Sequence, residues 1–477
     1  MKQTRKAGFV LSRDQSNVMA RFTEFINGPG RVFIIKGYAG TGKTTIVKEM
    51  IKNLSSRTYN YQLLASTGRA AKVLHDAVGE EARTIHGCIY TYHDFNQDID
   101  KIVQEREKHG EDTQGQLLLN FGLDVVQENT PTCYIVDESS MVSDEPDGSA
   151  YQAVFGSGRL LTDLLKYDPH GKFVFIGDAC QLPPVRQPYS PALSVDYFRE
   201  HFDLQATEAT LTEIKRQSKD NDIIMAAHKL RALYEQPQPW TWAKFPLKGF
   251  HNIHLLGSQT EMLSLYIDRV KKHGYEDTVL ICATNRQCNT ITQIVRPSLG
   301  FTSPQLQKGE LLLVTQNNSI SGLMNGDLVV IDSVQTKEHR AGLTFLEVSL
   351  HELITGRSVS LLMIADVLYS NATNLSAPQQ KELFVDFFIR MKAKKIKQGS
   401  SLFNNCMFSD PYLNALRAVW GFALTCHKVQ GGEWNHVFLD IPRSFPRGDK
   451  PYVYQWVYTA MTRARQELYL TNDFYIM

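Results

Sequence analysis

The first half of the chain alternates short, mainly apolar runs with helix-type segments. The apolar runs lie at residues 31–36, 61–66, 132–136 and 172–177. Runs of this length that are mainly apolar are typical of strands that are buried on both faces of a parallel sheet. The pattern predicts an α/β unit in which helices cover such a sheet.

A pattern of the same kind occupies the other half. An apolar run at residues 277–283 is followed by a helix-type stretch at 286–295. Three further apolar runs lie at residues 421–425, 436–440 and 467–471. Together they predict a second α/β unit.

Two stretches depart from this alternation. Residues 88–131 are polar, aromatic and charged, and we interpret them as an insertion in the first unit. Residues 303–363 show short alternating strands around the turn signal at residues 325–327. This is typical of a small β-barrel, here inserted in the second unit. A helical, basic stretch follows at about residues 375–418.

Length and composition agree with several compact units in a soluble protein. The chain has 477 residues, whereas a single core stops growing at about 250 to 300 residues. No uncharged apolar run approaches the roughly 18 to 20 residues that cross a bilayer, and the N-terminus is too polar for a signal peptide. We expect a cytoplasmic protein without a membrane segment.

Charge and cysteine content do not identify a partner by themselves. The net charge is +1, so a polyanion would have to be bound by local clusters of cations and by backbone amides. The seven cysteines are scattered without zinc-ligand spacing. We interpret them as reduced thiols.

The most specific motif is a phosphate-binding loop, or P-loop. It reads GYAGTGKT from Gly37 to Thr44, follows the first apolar run and precedes a helix-type run. Its backbone N–H groups can surround phosphates, Lys43 can reach the β and γ phosphates, and the Thr44 hydroxyl can ligate Mg²⁺. The residues assigned to the nucleotide in this segment are Gly37, Ala39, Gly40, Thr41, Gly42, Lys43, Thr44 and Thr45.

An acidic pair, Asp137 and Glu138, ends the apolar run at residues 132–136. The carboxyl end of a neighbouring parallel strand lies beside a P-loop. We therefore expect Asp137 to hold Mg²⁺ and Glu138 to orient or deprotonate the attacking water. An isolated acidic pair is more often a helix cap or a solvated turn, but the P-loop favours the catalytic interpretation.

P-loops also occur in kinases, transporters and GTPases, and three more residues narrow the class. Gln181, in the segment GDACQLPP, follows the last apolar run of the first unit and is placed to sense a γ-phosphate. Arg216 and Arg463 are candidate arginine fingers, which accelerate phosphoryl transfer by about 10³ to 10⁵. A surface salt bridge is the alternative for either arginine.

Nine segments, in order along the chain, resemble superfamily 1B DNA helicases, especially the RecD-like and phage Dda-like branches. They span Leu11 to Arg465 and read LSRDQ, the P-loop, ASTGRAA, TIHG, DESS, GDACQLPP, KRQS, TCHKVQGGE and TRAR. The resemblance implies an α/β fold of two RecA-like P-loop domains with parallel sheets. It also implies an inserted pin-like subdomain and an inserted SH3-like β-barrel subdomain.

The implied domains combine this resemblance with the pattern boundaries. They are domain 1A with the ATP site (residues 1–87 and 132–205), the pin or wedge subdomain 1B (88–131), domain 2A (206–302 and 416–477) and the SH3-like subdomain 2B with the basic helical segment (303–415).

The resemblance also implies roles for individual residues. Gln15 would read adenine, Glu433 would contact the nucleotide from the second domain, and both arginines would reach the γ-phosphate. The residues assigned to the nucleic-acid backbone are Thr67, Arg69, Thr84 and His86 in the first domain, and Thr425, His427, Lys428 and Gln430 in the second. Hydroxyl, imidazole and cationic groups can bind phosphates without reading bases. For the two histidines, a core or helix-capping role is the alternative.

Two assignments within the insertions stay open. Tyr90, Tyr92, His93 and Phe95 are either stacking surfaces of a wedge that splits the duplex or ordinary aromatics of a small satellite core. The basic segment at residues 390–397 is either a phosphate contact or a solvated helix face.

The function implied is an ATP- and Mg²⁺-dependent DNA helicase, of bacterial or phage type, that moves 5′ to 3′ in replication, recombination or repair. Its partners would be single-stranded DNA, junctions of single- and double-stranded DNA, and replication or repair proteins, and we expect a monomer. The alternatives are a translocase that needs a partner to unwind, a nucleotide-switched scaffold without turnover, and a motor on RNA.

Overall fold

The structure, a computed structural model, describes residues 11–109, 116–126, 131–146, 153–213, 221–370 and 372–477. The elements up to residue 213 are, in chain order, α1 (Arg13–Asn27), β1 (Val32–Gly37), α2 (Lys43–Ser56), β2 (Asn60–Ala65), α3 (Gly68–Val78), β3 (Ala82–Thr84), α4 (Ile85–Ile89), β4 (Tyr90–Phe95), α5 (Ile99–His109), β5 (Leu119–Leu123), β6 (Thr132–Asp137), β7 (Ala153–Phe155), α6 (Leu160–Tyr167), β8 (Lys172–Gly177), α7 (Val195–Phe202) and β9 (Ala206–Leu211).

The first sheet is parallel throughout and has the strand order β3-β2-β6-β8-β1-β9. The four apolar runs of the first half form its strands β1, β2, β6 and β8, as predicted. Helices α1 and α2 pack on one face, and α4, α6 and α7 pack on the other. The loops after β1, β6 and β8 therefore meet at the carboxyl edge of one sheet.

Strand β9 corrects a predicted boundary. The sequence analysis placed residues 206–302 in the second domain, but β9 pairs in parallel with β1 along its whole length. Its alternation of buried and exposed residues suits an edge strand of either sheet. Hydrogen bonding to β1 decides which sheet receives it.

The second half contains the remaining elements. They are α8 (Ile223–Glu235), β10 (Ile253–Leu256), α9 (Gln259–His273), β11 (Thr278–Cys282), α10 (Asn285–Ser298), β12 (Leu311–Val314), β13 (Leu328–Arg340), β14 (Leu343–Glu352), β15 (Ser358–Ile364), α11 (Ala365–Tyr369), α12 (Ala377–Ala393), α13 (Ser401–Ser409), β16 (Ala418–Trp420), β17 (Leu424–Thr425), β18 (Trp434–Asp440), α14 (Lys450–Met461) and β19 (Ala464–Thr471).

A second parallel sheet, in the order β10-β19-β18-β11-β17, forms the second α/β unit. An antiparallel sheet, in the order β15-β14-β13-β12-β16, forms the β-rich insertion. Strand β16 was assigned to the second domain with residues 416–477, but it pairs with β12 of the insertion. The chain therefore returns to the parallel sheet only at β17.

The insertion in the first unit forms a small sheet of β4, β5 and β7. Strand β7 lies beyond the predicted limits of 88–131 and pairs in parallel with β5. Phe95, Ile99 and Val103 of this insertion share a hydrophobic core with Phe345 and Phe384 of the β-rich insertion and its helices. The two insertions are thus packed against each other.

Of the helices in the described ranges, none combines the length and the apolar character that crossing a bilayer requires.

Candidate nucleotide-binding site and strand contacts

The P-loop connects β1 to the first turn of α2, as the sequence predicts. Gly40 and Gly42 have φ angles of 79° and 83°, a region that favours glycine. Gly42 is also the N-cap of α2, and a Cβ atom there would lie 2.6 Å from Nε2 of Gln15. Glycine at this position keeps the loop open while Gln15 packs against it.

Lys43 extends over this loop. Its Nζ atom donates hydrogen bonds to the carbonyl oxygens of Gly37 at 2.9 Å and Tyr38 at 3.3 Å. Burial raises the pKa of Asp137 and of Asp178, and the positive charge of Lys43 opposes this rise. A cation bound to neutral carbonyls and facing two carboxylates suits a phosphate site.

The acidic pair leaves β6 at the same edge of the sheet. Burial and the charge of Glu138 raise the pKa of Asp137. The Glu138 N–H group donates to Oδ1 of Asp137 at 2.9 Å. Glu138 itself has a φ angle of 49°, a left-handed conformation that costs a non-glycine residue about 1 to 2 kcal/mol. Strained backbone of this kind is concentrated at functional sites.

Gln181 follows β8 and is 2% exposed. Its Oε1 atom is buried and lacks a hydrogen-bond partner among the described residues, as does Oε2 of Glu138. Unpaired buried acceptors are costly and call for an explanation. A cation or a positioned water would satisfy both, so the loop, Lys43 and these two acceptors fit Mg²⁺-bound ATP.

Gln15 reaches the P-loop from α1. It forms a capping box with Ser12, and its Nε2 atom donates to the carbonyl oxygen of Thr41 at 3.4 Å. The structure thus places the predicted adenine-reading residue against the loop.

The second unit contributes to this site through α14, which sequence reasoning missed. The Tyr458 hydroxyl accepts a hydrogen bond from the N–H of Ala39 at 3.2 Å and donates one to Asp178 at 2.8 Å. Gln455 donates to the carbonyl oxygens of Ala179 and Gln181. Polar residues with spacing i and i+3 in an otherwise apolar helix are the signal that could have found them.

The predicted arginine fingers are placed differently. Arg463 is 5% exposed and donates to the carbonyl oxygens of Thr459 and Gly432, so it does not touch the P-loop in this conformation. Arg216 lies outside the described residues. Glu433 forms an ion pair with Arg465 at 3.1 Å.

The residues of the first domain that were predicted to contact a nucleic-acid strand lie on or next to α3 and α4. Thr67 caps α3 and Thr84 caps α4 through their side-chain oxygens. The His86 ring packs against Tyr90 and Phe155. The two threonines therefore have a structural role whether or not they also bind a strand.

Arg69 and Gln430, which were predicted to contact a nucleic-acid strand, lie instead between the two units. Arg69 is 5% exposed, stacks on Trp434 at 4.6 Å, and has a pKa that burial lowers to about 10. Gln430 is 3% exposed and donates to the carbonyl oxygen of Leu182 at 3.2 Å. Neither can reach a strand unless the units separate.

Of the other residues assigned to the second domain, Thr425 and Lys428 face the β-rich insertion. Burial lowers the pKa of His427 and of Lys428. Lys428 donates to Asn325 at 2.7 Å. Thr425 and Lys428 also line a cavity of about 360 Å³ between α10 and the insertion.

The open questions on the insertions are partly decided. Tyr90 and Phe95 are buried core residues, Tyr92 is half-buried and His93 is exposed. In the basic segment, Arg390 forms ion pairs with Asp386 and Asp410. Of these side chains, His93 is the one most accessible to a duplex.

Two families match this chain. Residues 10–236 match the AAA domain family, and residues 421–471 match the UvrD-like helicase C-terminal domain. The first match covers the P-loop, the acidic pair and Gln181. The second covers Thr425 to Arg465.

Two curated proteins match part of the chain. The ATP-dependent RecD2 DNA helicase of Deinococcus radiodurans is 28% identical over 237 residues, 50% of this chain and 26% of that protein. An uncharacterized protein of Methanocaldococcus jannaschii is 32% identical over 163 residues, 32% of this chain and 12% of that protein. The chain therefore spans about a quarter or less of the length of these curated relatives.

Two solved structures resemble the chain over most of its length. Bacteroides Pif1 bound to ssDNA has a TM-score of 0.49 at 15% identity and covers 97% of this chain and 92% of its own. Pif1 helicase from Candida albicans has a TM-score of 0.41 at 16% identity and covers 98% of this chain and 96% of its own. The two family matches, the match to RecD2 and the order of the motifs together support a superfamily 1B helicase of the RecD/Pif1 type.

Proposed function

We propose that this chain is an ATP-dependent DNA helicase that moves 5′ to 3′ along single-stranded DNA and unwinds duplexes in replication, recombination or repair. The observation that carries the proposal is the meeting of two parallel-sheet units at one P-loop. Helix α14 of the second unit contacts both the P-loop and the 178–182 loop. The polarity rests on the family resemblance.

The first unit holds the groups that hydrolysis needs. Lys43 binds the β and γ phosphates, and Glu138 and Gln181 orient the attacking water with their unpaired oxygens. Thr44 and Asp137 would hold Mg²⁺, which neutralises charge on the phosphates. Arg216 and Arg463 would supply charge from the far side, and Arg463 must leave its backbone carbonyls to do so.

Domain motion would convert hydrolysis into stepping. Thr67, Thr84 and His86 lie in the first unit, and Thr425, His427 and Lys428 lie in the second. Because both units contact one nucleotide, its binding and release change the distance between these two sets. A strand bound to both sets is then passed from one to the other.

The insertions would split the duplex and enclose the strand. The sheet of β4, β5 and β7 is proposed as the pin, and the five-stranded antiparallel sheet as the SH3-like subdomain. Their shared hydrophobic core supports a role as one rigid body. A wedge held in this way can resist the force of separating base pairs.

The experiment compares wild type with Lys43→Ala and with Lys48→Ala, an exposed lysine on the same helix. ATP hydrolysis is measured with and without single-stranded DNA, and unwinding is measured on forks that carry a 5′ or a 3′ tail. We expect strand-stimulated hydrolysis in wild type and in Lys48→Ala, a loss of about 100-fold or more in Lys43→Ala, and unwinding only from the 5′ tail.

Other results have distinct meanings. Stimulated hydrolysis without unwinding would indicate a translocase that needs a partner. Unwinding from the 3′ tail would reverse the polarity. Absence of stimulation by any strand would reject the motor assignment.

A further inference from the structure

Helix α14 presents one polar face to the first unit. Gln455, Tyr458 and Thr459 lie on this face, and all three bond to the 178–182 loop. Thr459 accepts the N–H of Leu182 at 2.8 Å. Two residues of the same loop, Cys180 and Leu182, are buried in the hydrophobic core of the second unit. The loop that carries Gln181 is therefore attached to α14 by both hydrogen bonds and apolar packing.

Tyr458 is the residue on this face that also reaches the P-loop. It is 3% exposed, and its hydroxyl both accepts from Ala39 and donates to Asp178. One buried hydroxyl thus joins a P-loop amide, a carboxylate of the 178–182 loop and a helix of the second unit. A hydroxyl with both functions satisfied has a fixed orientation.

Asp178 depends on this contact. It is 1% exposed, and its other oxygen accepts the N–H of Cys180 at 3.0 Å. Its carbonyl oxygen accepts the N–H of Gln181 at 3.1 Å. Any displacement of Asp178 is therefore passed directly to Gln181, whose side chain faces the reaction.

We infer that Tyr458 is a positioning residue that couples the P-loop to the second unit, by holding Ala39 and Asp178 in register and thereby placing Gln181. The inference rests on the proposed ATPase function of this site. A phosphate that enters the P-loop shifts its amides, and the bond from Ala39 passes this shift to α14. The same helix leads into Arg463.

The test is Tyr458→Phe, which removes the hydroxyl and keeps the ring. The matched control is Tyr454→Phe, one turn earlier on α14; Tyr454 is buried, and its hydroxyl bonds to neither the P-loop nor the 178–182 loop among the described residues. We expect Tyr458→Phe to lower the strand-stimulated kcat about tenfold, the effect of losing a hydrogen bond to a charged group. The KM for ATP should change less than about threefold, because the phosphate ligands remain.

A double-mutant cycle with Asp178→Asn tests the coupling. If the two residues act as one unit, the double variant loses no more kcat than the worse single variant. Wild-type kcat in Tyr458→Phe, equal losses in the Tyr454→Phe control, or fully additive losses would each overturn the inference.

A second measurement does not need turnover. Amide hydrogen exchange of residues 178–182 is compared with and without a non-hydrolysable ATP analogue. Exchange should slow on binding in wild type and in Tyr454→Phe, and slow less in Tyr458→Phe. If wild type shows no strand-stimulated hydrolysis, the proposed function fails, and identical exchange in wild type and Tyr458→Phe would refute the coupling independently.

Discussion

Two of the contacts between the units differ in chemistry. On the nucleotide side, α14 meets the 178–182 loop through neutral hydrogen-bonding groups and one buried carboxylate, Asp178. On the strand side, α3 meets the β-rich insertion through charges. Lys72 of α3 forms ion pairs with Asp327 and with Glu352, whose side chains are 1% and 3% exposed.

The difference matches what each side has to do. Oriented neutral hydrogen bonds depend on geometry and respond to small shifts of the P-loop. Ion pairs of lysine are less directional, and a polyanion can compete for the lysine. The turn between β12 and β13 also covers α3, because Met324 packs directly on Gly68. A strand that reaches Arg69 and Lys72 must therefore displace two carboxylates.

The largest effect is expected from a substitution that disrupts only the nucleotide side. Glu138→Gln removes the group that accepts a proton from water, and we expect kcat to fall about 10³-fold, within the range for general bases. The affinity for single-stranded DNA should stay within about twofold, since the α3 contact is untouched. Steady-state ATPase and fluorescence anisotropy measure the two quantities.

Glu145→Gln serves as its control, since Glu145 is exposed and lies in the loop that follows the acidic pair. A comparable loss of kcat in Glu145→Gln would indicate that the loop, and not the carboxylate of Glu138, is responsible.

An intermediate effect is expected from a substitution that disrupts the strand side, where α3 meets the β-rich insertion. Lys72→Met leaves Asp327 and Glu352 buried without their cation. We expect a loss of about 1 to 2 kcal/mol in the free energy of unfolding, less than for a fully buried pair because Lys72 is 28% exposed. Lys52→Met, at a lysine that is 71% exposed, is the control and should be near neutral.

The pH dependence of this variant gives a sharper check. Burial raises the pKa of Asp327 and Lys72 lowers it, so removing Lys72 raises it further above its unfolded value. Ionising the buried Asp327 costs folding free energy; this cost is absent below the unfolded pKa, grows between the unfolded and the folded pKa, and is constant above the folded pKa. The difference in Tm between wild type and Lys72→Met should therefore be small near pH 4 and full at pH 7. A constant difference would contradict this account.

The smallest effect concerns an exposed charge pair. Lys392 and Asp100 join the two insertions at 3.2 Å, with side chains 52% and 49% exposed. We expect Lys392→Ala to cost no more than about 0.5 kcal/mol, because solvent and salt screen such pairs. Denaturant unfolding measures this change in the free energy of unfolding, with Lys394→Ala as the control variant. A loss above about 1 kcal/mol in Lys392→Ala would indicate that the pair, not the shared core, joins the insertions.

Much of the fold follows from local rules that the sequence shows directly. The runs that form β1, β2, β6 and β8 are mainly apolar because helices cover both faces of the parallel sheet. The P-loop is recognisable because glycine, lysine and threonine at this spacing suit a turn between strand and helix. These features depend on neighbours within a few residues, so the sequence alone determined them.

The tertiary structure decided which partner each ambiguous segment joined. Strands β7, β9 and β16 satisfy their hydrogen bonds across sequence distances that periodicity does not encode, and all three pair outside the domains to which their residues were assigned. The burial of Arg69 and Gln430 and the reach of Tyr458 into the P-loop arise only when the two units dock. Contacts between units depend on the geometry of both surfaces at once, whereas a sequence motif predicts only the local strand, turn or helix in which it lies.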